Sequence, residues 1–162
     1  MADLKTQLQM LQSKIQPKIA DALENEVADV VKWEEIEAIK EEVFGYNPVE
    51  YIRRSVGGLD DPSNMVAKTR LKSDGSVVLT VENVTMSNTE YLPKGKAPFQ
   101  IAGVIEHGHG WHGYFYDYPY KGASYLSPRP FIKTTLENLK KNRTDLVKAL
   151  KKGLIRNGLN IK

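Results

Sequence analysis

The stretch Ile105–Ile132, IEHGHGWHGYFYDYPYKGASYLSPRPFI, decides how the rest of the chain is read. It opens on an apolar-Glu-x-Gly turn at Ile105, Glu106 and Gly108, and it closes on Arg129-Pro130-Phe131-Ile132. Pro130 suits the first helical position, where its fixed φ is already correct and a missing amide costs nothing. Ser127-Pro128-Arg129-Pro130 gives that helix an extended approach. Beyond it Phe131, Leu136, Leu139, Leu146, Ala149, Leu150 and Leu154 form the apolar side of one helix to about Lys152, with Gly153 and Gly158 loosening its end. The glycines, tyrosines and three histidines between the two ends predict irregular chain.

Upstream of this stretch, Leu4, Leu8, Leu11 and Ile15 are spaced 4, 3 and 4, which is one face of a helix. Pro17 predicts a break or kink near Gln16, because a proline inside a helix removes a hydrogen bond and crowds the preceding turn. The pattern resumes with Ile19, Leu23, Val27, Val30 and Ile36 and predicts a long amphipathic helix to about Val43, ended by Gly45. Tyr46–Asp61 contains Pro48, Gly57, Gly58 and the pair Arg53-Arg54, and reads as a loop. Met65, Ala67, Thr69 and Leu71 alternate, as do Val77, Leu79 and Val81. Asp74-Gly75 lies between the two runs, the pattern of an antiparallel hairpin. Met86–Ala97 reads as a mobile loop that orders on binding. Pro98–Ile105 reads as a short helix stopped by Gly108.

The expectation is a single α+β domain, with a long N-terminal helix and a C-terminal helix packed on a small antiparallel sheet. Its parts are helices over 1–44, an Arg/Gly-rich loop over 45–64, and hairpin, loop and short element over 65–106. The Gly/Tyr/His-rich loop takes 107–128 and the last helix 129–157. A chain of 162 residues buries roughly 70% of its unfolded surface, enough for one ordinary core. No apolar run approaches the roughly 20 residues of a membrane helix. The start Met-Ala-Asp-Leu-Lys has no secretory or transit pattern, so synthesis in the cytoplasm is the expectation. The absence of cysteine excludes disulfides, thiolate zinc sites and cysteine nucleophiles.

The net charge of +3 hides a split. Residues 1–62 hold 13 acids and 7 bases, whereas residues 63–162 hold 7 acids and 16 bases. Lys133–Lys162 alone carries 9 bases and 2 acids. Such a split suits nucleic-acid contact, or the acidic part of one subunit meeting the basic part of another.

Candidate chemistry is sparse. His107, His109 and His112 beside Glu106 invite a metal reading, but they lack helical His-Glu-x-x-His spacing and no remote histidine completes a site. No Gly-x-Ser-x-Gly elbow or phosphate-binding Gly-x-x-x-x-Gly-Lys loop occurs. Glu34, Glu35, Glu37, Glu41 and Glu42 read as an exposed helix face, not as a buried carboxylate pair. No catalytic residue, metal or cofactor is therefore expected. Trp111, Tyr114, Phe115, Tyr116, Tyr118 and Tyr120 are interleaved with few bases, which favours a core or interface over stacking on single-stranded nucleic acid.

The apolar-Glu-x-Gly turn, the Tyr/Gly-rich span and the Arg-Pro-Phe start of a basic last helix resemble the neck or tail-component family of long-tailed phages. Tyr46, Pro48, Tyr51, Arg53, Arg54, Gly57, Gly58, Leu59 and Asp60 resemble its variant in phages of low-GC Gram-positive hosts. The order of these features matches over nearly the whole chain. The family's commoner Thr-Gly turn before Leu-Arg is absent.

The resemblance implies a fold related to tail-terminator proteins, no catalysis, and a ring of six-fold or twelve-fold symmetry at the head–tail junction. Its partners would be its own copies, a head-closure or connector protein, and a tail terminator or tail tube protein. Genomic DNA would pass through the lumen without sequence readout. The protein would sit in the virion neck after assembly in the host cytoplasm. Interface candidates are Arg53, Arg54, Glu106, Trp111, Tyr114, Tyr116, Tyr118, Arg129 and Phe131. Phe131 is expected to be buried. Arg129 is expected to have a carboxylate or carbonyl partner, with Glu106 the candidate within the chain and an acid on a neighbouring subunit's long helix the other. The rival functions are a DNA-binding module using the basic C-terminal helix and a small metal-dependent hydrolase using the histidine turn.

Overall fold

A computed structural model describes residues 3–45, 56–88, 97–108 and 128–161. It is α+β: a long N-terminal helical stretch, two C-terminal helices and a two-stranded antiparallel sheet. Helix α1 is Leu4–Ala22, a π-helical turn takes Leu23–Val27, and α2 is Ala28–Glu42. Strands β1 (Met65–Leu71) and β2 (Val77–Asn83) form the hairpin, α3 is Ala102–His107, α4 is Phe131–Lys141 and α5 is Arg143–Arg156. By internal packing the chain divides into two compact units. One comprises Met1–Lys32, Ala67–Glu82 and Leu139–Lys162, the other Trp33–Val66 and Asn83–Asn138.

Pro17 does not break the first helix. Its missing amide frees the carbonyl of Ser13, and both residues lie on the exposed side, where water can satisfy that carbonyl. The irregularity comes nearly two turns later, at Leu23–Val27, where the helix takes in an extra residue. Such π turns re-aim the side chains around them. Here Asp21, Glu24 and Glu26 reach two different neighbours. Glu24 Oε1 accepts the Thr69 amide at 2.7 Å and the Thr69 hydroxyl at 2.6 Å, tying the helix to β1. Glu26 accepts Arg156 Nε at 2.6 Å and Nη2 at 3.2 Å, and Asp21 pairs with the same guanidinium. Asn157 donates to Asp21 Oδ2 at 2.7 Å.

In the same unit α5 runs antiparallel to α1, since Gly153 lies against Ala22 while Asn157 reaches Lys18 and Asp21. Gly153 does not loosen the helix end. It is buried inside α5, and a Cβ there would lie 2.6 Å from Ala22 Cβ and 2.6 Å from Glu26 Oε2. The glycine is what lets the two helices approach. Ala22, Val27, Ala28 and Ala149 complete this small-residue core.

The hairpin forms as its alternation and Asp74-Gly75 predict. Gly75 has φ +85°, the Lys72 amide donates to Ser76 O at 2.8 Å, and Asp74 Oδ1 accepts the Ser76 amide at 2.9 Å. Gln16 Nε2 donates to Gly75 O at 3.2 Å, holding the turn to α1.

The core of the second unit gathers Ile36, Ala38, Ile39 and Val43 of α2 and its end with Leu59, Met65, Ala102 and Phe131. The short helix expected after Pro98 is α3, and Gly108 ends it at φ +75°. The single C-terminal helix is two: Asn142, at φ −99° and ψ 35°, separates α4 from α5.

Candidate interface around the Glu106 clasp

The two ends of the organising stretch meet within the second unit. Helix α4 starts at Phe131, and Pro130 stands just outside it with its carbonyl accepting the Thr134 amide at 2.9 Å. Proline has no side-chain acceptor for the next free amides, which a serine or aspartate at that position would bind. Glu106, at the end of α3, takes that part from 26 residues away. Its Oε2 accepts the Ile132 amide at 2.7 Å and its Oε1 the Lys133 amide at 3.1 Å. A carboxylate also suits the positive end of the helix dipole. The Arg129 amide donates to Ile105 O at 2.9 Å, so a backbone bond closes the same junction. Glu106 is buried, and Phe131 is fully so.

Glu106 thus serves as a carboxylate cap on α4. Arg129 Nη1 donates to Val43 O at 3.4 Å, at the end of α2. Thr134 Oγ1 donates to Glu42 Oε1 at 2.8 Å, a second link from α4 to α2.

The same unit holds a buried polar network. Asn83 Nδ2 donates to Glu35 Oε1 at 3.0 Å and to Leu59 O at 2.8 Å. Asn83 Oδ1 accepts the Thr85 hydroxyl at 2.6 Å and the Thr85 amide at 3.2 Å. Asn64 Nδ2 donates to Gly58 O at 2.9 Å, and Asp61 accepts the Gly57 amide at 2.6 Å. Together these bonds fix the chain from Gly57 to Asn64 against the end of β2.

Glu35 corrects the sequence reading: it is 6% exposed, not part of a solvated acidic face. Four-residue steps from Val31 and to Ile39 place it on the inner stripe of α2. Burial raises its carboxyl above the ordinary range. The Asn83 bond opposes this, and the charge of Glu106 adds to it. Glu34 and Glu42 are half-buried, whereas Glu37 and Glu41 are exposed as expected. Both oxygens of Glu106 serve α4 and one oxygen of Glu35 serves Asn83, so the two carboxylates have structural uses.

Arg53, Arg54, Trp111, Tyr114, Tyr116 and Tyr118 lie outside the described residues, as do His109 and His112 and most of the Met86–Ala97 loop. What is described is how the neighbouring chain is tied. The Ser87 amide donates to Phe99 O at 2.8 Å, the Ile101 amide to Thr85 O at 2.9 Å, and Met86 pairs with Gln100 in an antiparallel bridge. His107 is exposed. Among the described residues no group of three or more His, Asp or Glu side chains is placed to hold a metal ion, and no helix is long and apolar enough to cross a membrane.

Over residues 7–156 the chain matches a protein-family model described as YomN. Searches of curated proteins and of solved structures each found no match.

Proposed function

The chain belongs to the YomN family, a phage-associated family that carries the name of a Bacillus prophage protein, and on that premise we propose that it is a structural protein of a phage neck. In this reading its copies form a ring that joins the head-side connector to the tail. Its partners are its own copies, a head-closure protein and a tail terminator or tail tube protein. Genomic DNA passes through the ring without base readout, and the chain performs no catalysis.

One observation carries the reading. The Glu-x-Gly turn and the Arg-Pro-Phe helix start, two of the motifs that carry the resemblance to neck proteins, are bonded to each other through Glu106. The described chain on the two sides of residues 109–127 is therefore tied together at one junction. Segments that bind partners are commonly carried on rigid scaffolds in this way.

The test is made in an inducible prophage carrying Arg129→Glu, with the purified variant checked for solubility and native helix content. Filled heads and separate tails, seen by electron microscopy in place of joined particles, are the expected result. A wild-type yield of joined particles from a folded Arg129→Glu protein would overturn the proposal.

A further inference from the structure

Among the described residues two helical faces are exposed, and they are built alike with opposite charge. The outer arc of α2 is formed by Asp29, Trp33, Glu37 and Glu41, all exposed, with Trp33 at 62%. Lys40 lies among them, 2.8 Å from Glu37 and 5.5 Å from the centre of the Trp33 ring. The arc still has three acids to one base around an exposed indole. The outer arc of α5 is formed by Val147, Lys148, Lys151, Lys152 and Ile155, again all exposed. Lys148 pairs with Asp145 at 3.1 Å, and the other two lysines leave the arc basic around two exposed aliphatic side chains. Among the described residues, the buried positions of both helices lie elsewhere. Helix α5 packs through Ala149 and Gly153, and α2 through Ile36 and Ile39.

An apolar centre rimmed by charge is the usual make-up of a specific protein interface, and opposite rims steer the two sides together. A surface Trp more than half exposed is also the residue type that most often anchors such a contact. We infer that copies of this chain join head to tail, the acidic outer face of α2 on one copy seating on the basic outer face of α5 on the next. Such a contact is heterologous. Each copy that uses its α2 face keeps its α5 face free, so the contact repeats until a ring closes. The inference rests on the neck-ring reading for its biological purpose, and its chemistry is tested separately.

The experiment uses the full chain and sedimentation velocity at low and high salt. One variant reverses the acidic face (Glu37→Lys with Glu41→Lys), and the other reverses the basic face (Lys148→Glu, Lys151→Glu and Lys152→Glu). The wild type is expected to assemble at low salt and to dissociate as salt rises. Each variant alone is expected to weaken self-association on the order of tenfold or more. An equimolar mixture of the two is expected to assemble, because each offers the face that the other requires, and so is the chain carrying both reversals. Misfolding would not be repaired by mixing.

A monomeric wild type, unaltered assembly of either variant, or a mixture that stays monomeric would each overturn the inference. So would retained assembly of the basic-face variant with lost binding to a short duplex DNA, which would assign the α5 face to nucleic acid. Full particle yield from a variant that no longer assembles would leave the contact standing and remove the neck ring as its purpose.

Discussion

At Phe131 the sequence and the packing agree. A proline ahead of it and apolar spacing behind it point the ring inward, and it is fully buried. Phe131→Ala should cost about 3–5 kcal/mol in urea unfolding, the range for emptying a buried aromatic site. Glu106 carries a different load. Its removal leaves the Ile132 and Lys133 amides without their acceptor, so Glu106→Ala should cost roughly 1.5–3 kcal/mol, the scale of hydrogen bonds to a charged group. A loss below a few tenths would show that water replaces the cap.

Glu35 gives a pH signature. Well below the ordinary carboxyl range it is protonated in the folded and unfolded chain alike. As pH rises the unfolded chain releases the proton first, because burial raises the folded value, so rising pH lowers stability through this group. Glu35→Gln keeps an oxygen for Asn83 Nδ2 and removes the charge. It should match the wild type in acid and exceed it at neutral pH. A variant less stable than wild type at neutral pH would count against this account. The burial of Glu35 was hard to read because it stands in a run of acids. The signal was its four-residue step from Val31 and to Ile39, on the inner stripe of α2.

Among the elements, the hairpin, α3 and the end of α3 at Gly108 were legible because alternation, Asp74-Gly75 and the glycine stop are local signals. The π turn was not, since it answers to two distant partners: Thr69 on the hairpin and Arg156 at the end of α5. Gly153 was misread for the same reason. A glycine late in a helix looks like a terminator, and only the approach of Ala22 shows its use. The four-residue step between Ala149 and Gly153 was the available clue. Gly153→Ala should therefore destabilise by about 1–3 kcal/mol through overpacking, against a helix-propensity gain of about 1 kcal/mol at most. A rise in melting temperature would mean that α1 and α5 can separate without loss. The Glu106 cap was half legible. Both of its ends were visible as motifs, but an acceptor 26 residues from the helix it serves leaves no local pattern.

For the whole molecule, the split between an acidic first part and a basic last part governs solution behaviour. Duplex DNA should bind weakly, without sequence preference, and with affinity falling steeply as salt rises, because Lys133–Lys162 offers nine bases and no aromatic side chain. A preferred sequence that survives at physiological salt in competition binding would contradict this. The first unit also has an unusual origin: it is gathered from the beginning, the middle and the end of the chain. Arg156 and Asn157 reach back over 130 to 139 residues to Glu26 and Lys18. On a ribosome making about 5–20 residues per second, α1 waits roughly 6–26 s for its partner helix. During that wait the face of Ala22 that receives Gly153 is open to chaperones and proteases. A chain cut short before α5 lacks Gly153 and can never cover that face.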